Sequence, residues 1–222
     1  MNVSEAVETR RSIRAFLPDP VPEEVLRRVF VKAARAPSGG NLQPWHVWLL
    51  SGAGMARFRA MMAPRIARGL TDAPEYAVYP DRLWEPYRSR RFAVGEAMYA
   101  RLGIPRGDRA ARLRWFARNY DFFGAPAGMF LFVDRGMGAP QWSDLGGYLQ
   151  TAMLLLREEG LDSCPQEAWY LQHATVSAFL DAPPELMLFC GMAIGRRDPE
   201  AAVNGLQAPR APAEEWLRTV FE

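Results

Sequence analysis

The chain has 222 residues, 49% of them apolar and 23% charged, with a formal net charge of +2. That is enough apolar chain to bury a core and argues against wholesale disorder, while so small a net charge argues against a nucleic-acid partner. Two cysteines, Cys164 and Cys190, do not make a disulfide scaffold. No apolar run reaches the ~20 residues of a membrane-spanning helix, and residues 1–14 lack a signal-peptide core. The composition reads as a soluble, cytoplasmic protein without membrane contact.

In chain order, residues 4–10 form a short helix with Asn2 or Ser4 as its cap. Pro20-Val21-Pro22-Glu23-Glu24 is a helix start, with proline early and acids in the first turn. Val25, Val29 and Ala33 then give an apolar stripe up to Arg35. Residues 37–44 hold two prolines and two glycines and do not continue the helix. Residues 45–50 read as a strand and 53–68 as a helix. Residues 70–86 are irregular. Residues 87–102 and 106–120 read as helices parted by Gly103-Ile104-Pro105, and 128–133 as a second strand. Residues 142–159 form a long apolar helix stopped by Gly160. A short helix at 175–180 precedes a third strand at 186–194, and the tail gains order only at 213–221. Interleaved helices and strands without regular βαβ units indicate an α+β class. So few strands leave sheet edges that a partner subunit could cover.

Two segments stand out chemically. Arg10-Arg11-Ser12-Ile13-Arg14 places three guanidinium groups and a hydroxyl within five residues. Arginine's planar fork suits a phosphate, so this is either an anion and ring-edge site or a solvated basic turn. Ala36-Pro37-Ser38-Gly39-Gly40-Asn41-Leu42-Gln43-Pro44-Trp45 is a small-residue loop that lets backbone approach a ring system, or simply joins a helix to a strand. Other leads carry less. Gly52-Ala53-Gly54 lacks the third glycine of a dinucleotide fingerprint, since Arg57 stands there. His46 and His173 lack metal-ligand spacing, so no metal site is expected, and His46 reads as a core or near-core residue. Cys164 has no visible activating base. Trp84 and Tyr87, in irregular chain where binding residues concentrate, either line a substrate pocket or do not.

Taken together, the two segments, followed by Gly160-Leu161-Asp162-Ser163-Cys164-Pro165-Gln166-Glu167-Ala168-Trp169 and by Ala193-Ile194-Gly195 with Asn204 through Arg210-Ala211-Pro212, resemble the nitroreductase family of FMN enzymes over nearly the whole chain. The aromatic stretch Tyr79–Arg88 is similar to its nitrobenzoate-reductase-like branch. The resemblance implies a nitroreductase-like fold: a central mixed or antiparallel sheet flanked by helices in an intertwined homodimer. It implies one domain over 1–222, with 70–125 as a variable helical lid and 196–222 as a C-terminal extension.

The resemblance also implies roles. Arg10, Ser12 and Arg210 would hold the FMN phosphate, with Arg11 beside them, and Arg14 would lie at the pyrimidine edge. Pro165, Gln166 and Glu167 would form a loop offering backbone N–H to the flavin. Pro37, Ser38, Gly39 and Asn41 would reach the flavin of the neighbouring subunit, and Trp84 and Tyr87 would face the substrate. NADPH or NADH would donate hydride in a ping-pong cycle. A small electron acceptor, nitroaromatic or quinone-like, would take the electrons, and no protein acid or base is required. Relatives with the same flavin act as enone reductases, reductive dehalogenases or flavin-modifying enzymes, so these remain the alternative.

Overall fold

A computed structural model describes residues 1–221; Glu222, the last residue of the expected extension, lies outside the described residues. The elements are α1 (Val3–Thr9), α2 (Glu23–Ala33), β1 (His46–Ser51), α3 (Gly52–Ala67), α4 (Tyr87–Arg101), α5 (Arg109–Ala117), β2 (Ala127–Asp134), α6 (Ala139–Glu158), β3 (Asp162–Gln166), α7 (His173–Leu180), β4 (Leu186–Gly195) and α8 (Ala213–Trp216). The four strands form one sheet in the order β1-β2-β4-β3, and every pairing is antiparallel.

Period-two alternation explains why the middle of this sheet is dry. On β2, Met129, Leu131 and Val133 face one layer, and Phe130 and Phe132 face the other. The first layer is α2 and α6, through Leu26, Val29, Phe30, Leu145, Tyr148 and Leu156. The second is built from Met55, Phe58 and Met62 of α3 together with Phe122 and Trp169. Each fully buried large side chain contributes about 1.5–3 kcal/mol, so this two-sided burial is the main stabilising term. Trp169 lies on β4 where Gly191 leaves room: a Cβ there would stand 2.4 Å from the indole.

The structure corrects several sequence expectations. It has four strands rather than three, because Asp162–Gln166 pairs with β4 through Asp162–Gly195 and Gln166–Gly191. A proline is tolerated in it because β3 is an edge strand. The outer edge of β3 is met within the chain itself, where Ser12 bridges Ser163 in parallel and the Ile13 N–H donates to the Ser163 carbonyl at 3.0 Å. The last helix covers only Ala213–Trp216, not 213–221. The expected helix over 106–120 is shorter, at Arg109–Ala117, and passes into tight turns over Arg118–Gly124. His46 is exposed rather than near-core, since β1 is the other edge strand.

Candidate active site

The arginine-rich segment is shaped by its neighbours on both sides. Helix α1 ends at Arg10, whose N–H caps the Ala6 carbonyl at 3.0 Å while its backbone turns extended. Ile13 is completely buried; in extended chain this turns Ser12 and Arg14 to the opposite side. On the far flank the segment meets residues 196–198. The Leu17 N–H donates to the Arg196 carbonyl, the Asp198 N–H donates to the Ala15 carbonyl, and Phe16 bridges Arg197.

Two residues that the sequence places in motifs, but to which it assigns no role of their own, fix this arrangement. Asn204 is buried; its Oδ1 accepts from the Arg14 N–H at 2.9 Å, and its Nδ2 donates to the carbonyls of Ala15 and Asp198 at 2.8 Å. It therefore ties the arginine segment to the chain that leads to Arg210. Asp162, with 3% of its side chain exposed, accepts from Arg197 at 2.6 and 2.8 Å and from Arg157 at 2.8 Å. That triad around a buried carboxylate locks the start of β3 to residue 197. No local pattern announces either residue, because their partners are far away in sequence.

The result is a cavity of about 610 Å³ lined by Arg10, Arg11, Ser12, Arg14, Gln150 and Arg210, among others. It is strongly electropositive. Burial first, and then the neighbouring Arg210 guanidinium, pull Arg10 below its ordinary pKa. The Arg11 Nε is buried without a hydrogen-bond partner. A crowd of guanidinium groups is an arrangement that an anion relieves.

A second cavity of about 390 Å³ shares Arg14 with the first and runs along Cys164, Pro165, Gln166 and Glu167 to the aromatic residues Trp115, Phe116 and Phe123. The Gln166 side chain is already committed. Its Nε2 donates to the Asn119 carbonyl at 2.8 Å, and its Oε1 accepts from the Trp169 indole at 3.3 Å. What this segment can offer a ligand is thus its backbone. Burial pushes the Cys164 thiol up, against the opposing pull of Arg14 and Arg10, so the thiol stays protonated and is no nucleophile. Crowding raises the Glu167 carboxyl above its ordinary pKa although the residue is open to solvent.

The other expected site residues lie apart from these cavities. Pro37, Ser38, Gly39 and Asn41 line neither of them. Their loop sits against α6, where the Gly39 N–H donates to the Asp144 carboxylate at 3.2 Å, and it is closed by the Gln43 N–H donating to Ser38 Oγ at 2.9 Å. Gly40 has φ +58°, which explains a glycine at that position. Trp84 and Tyr87 are 59% and 50% exposed, stack edge-to-face on one another with centroids 5.5 Å apart, and line neither cavity. Among the described residues there is no group of three or more potential metal ligands, and no helix is long and apolar enough to cross a membrane.

Comparison with known proteins gives this geometry a context. The chain is 36% identical to the 4-nitrobenzoate reductase of Pseudomonas putida over 208 residues, covering 94% of this chain and 91% of that protein. It is 34% identical to the chloronitrobenzene nitroreductase of Comamonas testosteroni over 226 residues, covering 99% and 97%. Its fold superposes on the FMN and NADPH-dependent nitroreductase NfnB from Sphigopyxis sp. strain HMH with a TM-score of 0.95 at 47% identity, covering all of both chains. The FMN-dependent nitroreductase NfnB from Mycobacterium smegmatis, solved in complex with NADPH, gives 0.91 at 35% identity, covering 99% of this chain and 100% of that one. The description of the Nitroreductase family matches residues 7–196, and this chain belongs to that family.

Proposed function

We propose that this protein is an FMN-dependent oxidoreductase that draws electrons from NADPH or NADH and passes them, in a ping-pong cycle, to nitroaromatic or quinone-like acceptors. The observation that carries the reading is the cation cradle. Arg10 and Arg210 repel one another at a cavity also lined by Arg11, Ser12 and Arg14, and a phosphate fits that charge and donor set. The names of the similar proteins agree, since both NfnB structures are FMN-dependent and one holds NADPH.

When bound, the flavin supplies the hydride chemistry, and the protein supplies binding, orientation and electrostatics. Arg10, Ser12 and Arg210 hold the phosphate, with Arg11 adding charge. Arg14, common to both cavities, sits at the pyrimidine edge, where a fixed cation stabilises negative charge. The backbone at Pro165, Gln166 and Glu167 borders the second cavity. Proline has no N–H, so any donated hydrogen bond comes from Gln166 or Glu167. The acceptor stacks in that second cavity between aromatic side chains, and solvent supplies the protons.

The site is completed by a second copy of the chain. Pro37, Ser38, Gly39 and Asn41 line neither of the two cavities of their own subunit. The nearby face of α6 exposes Gly146 and Gly147, and nothing lies within 4 Å of where either Cβ would stand. Two glycines in a helix interior cost about 1 kcal/mol each relative to alanine, a cost that close approach of another backbone offsets. In this reading the protein is a homodimer, taken as cytoplasmic, with a single domain in each subunit and residues 70–125 as a lid that carries Trp84 and Tyr87 towards the neighbouring site.

An anaerobic visible spectrum tests the proposal. Purified protein should show a flavin band, lose it on addition of NADPH, and regain it on addition of 4-nitrobenzoate. A colourless protein that also takes up no added FMN contradicts the reading. A band that bleaches but is not restored keeps the cofactor and assigns another acceptor.

A further inference from the structure

The second cavity holds a cation that the flavin scheme leaves unused. Arg14 is committed to the flavin in that scheme, but Arg91 of α4 also lines this cavity. Its neighbours on the lid are ion-paired: Arg88 with Glu85, Arg90 with Glu215 and Arg112 with Glu96. Arg91 forms no ion pair among the described residues. It lies over the Tyr79 ring instead, 4.3 Å from the centroid. A guanidinium resting on a ring face keeps its in-plane N–H groups available for an anion.

The surroundings say which kind of anion. The cavity's volume of about 390 Å³ must also admit the flavin ring, which leaves room for a small acceptor only, and Trp115, Phe116 and Phe123 supply aromatic walls for a single planar ring. Glu167 is the one acid lining this cavity. We propose that Arg91 binds a carboxylate carried by the aromatic acceptor, so that anionic nitrobenzoate-type compounds are better substrates than neutral nitroarenes. This rests on the nitroreductase reading above. Arg91 touches the substrate at the end remote from the nitro group and sets specificity rather than chemistry.

The test compares 4-nitrobenzoate with 4-nitrobenzamide, a neutral compound of similar shape, on the FMN-loaded enzyme and its Arg91→Ala and Arg91→Lys variants. The ratio of the two kcat/KM values should favour the acid in the parent. It should fall about tenfold in Arg91→Ala, as expected for one charge-assisted contact. It should recover in part in Arg91→Lys, which keeps charge but loses the fork, and shrink as salt rises. An unchanged ratio in Arg91→Ala overturns the proposal. So does a selective rise in the KM for NADPH over NADH with the acid-to-amide ratio intact, which would assign the anion to the nucleotide's extra phosphate.

Failure of the underlying reading looks different: NADPH bleaches the flavin and neither nitro compound restores it. Calorimetric binding of plain benzoate to the oxidised holoenzyme then reads Arg91 alone. Weaker binding to Arg91→Ala supports the carboxylate site, and equal binding overturns it.

Discussion

The cradle around Arg10 and the proposed lid of α4 and α5 are both crowded with arginine, yet they are held by different forces. The cradle is knitted by backbone pairing at Ser12–Ser163 and Phe16–Arg197, by the buried Asn204 amide and by the Asp162 triad. The lid helices bury no residue at all. They are tied down by the Arg112–Glu96 and Arg90–Glu215 ion pairs and by guanidinium groups over Tyr99 and Phe92. A guanidinium's role is set by what already satisfies it. Ion-paired arginines on the lid are fasteners, whereas the unpaired ones around the cavities have donors left for a ligand.

The comparison can be broken from its strongest side first. Asp162→Asn removes the buried charge at the centre of a triad and leaves the partly exposed Arg157 and Arg197 facing each other. We expect a loss of about 3 kcal/mol in urea unfolding, together with weaker FMN retention, because residues 196–198 flank the arginine segment. Full stability in this variant would show that the cradle does not depend on the triad.

Gly191→Ala should cost about 2 kcal/mol by forcing Trp169 off β4. It should disturb the second cavity through the Trp169–Gln166 contact more than the first; a larger effect on FMN affinity than on acceptor KM would reverse that assignment.

A smaller effect separates lid from core. Raising salt to about 1 M screens the exposed ion pairs of this region, and Arg112→Ala removes its partly buried pair with Glu96. Both should increase amide exchange across 87–117 while leaving β2 protected. Equal loss of protection in the two regions would mean that the lid is not held electrostatically.

The smallest effect concerns Glu167. Its carboxyl is raised above the ordinary 4.5, so the folded state holds the proton more tightly than the unfolded one. Stability therefore falls as pH rises from about 4.5 through the raised value, and neutral pH carries the penalty. Glu167→Gln should raise Tm slightly at pH ~7 and not at pH ~4. A gain at acid pH alone would contradict the direction.

Much of this was legible from residue patterns. The α2 stripe, the apolar strands β2 and β4 and the long α6 follow from periodicity, and the arginine segment from its composition. Strand β3 was not, because Asp-Ser-Cys-Pro-Gln has little strand propensity of its own and is extended only because β4 pairs with it. Exposed His46 misled because an edge strand leaves its alternation half open. The clamping roles of Asn204 and Asp162 were not legible because a clamp is recognised by its partners, and theirs lie as far as 190 residues away. The loop at Pro37 was visible as a small-residue turn, yet its distance from the cradle within one subunit needed coordinates.

The central claim is that Arg10 and Arg210 form a phosphate site, and the most direct measurement compares affinities for FMN and riboflavin, which lacks the phosphate. The parent protein should prefer FMN, and Arg210→Ala or Arg10→Ala should cut that preference by about tenfold to a hundredfold. A preference for FMN that survives both substitutions would place the phosphate elsewhere and contradict the account.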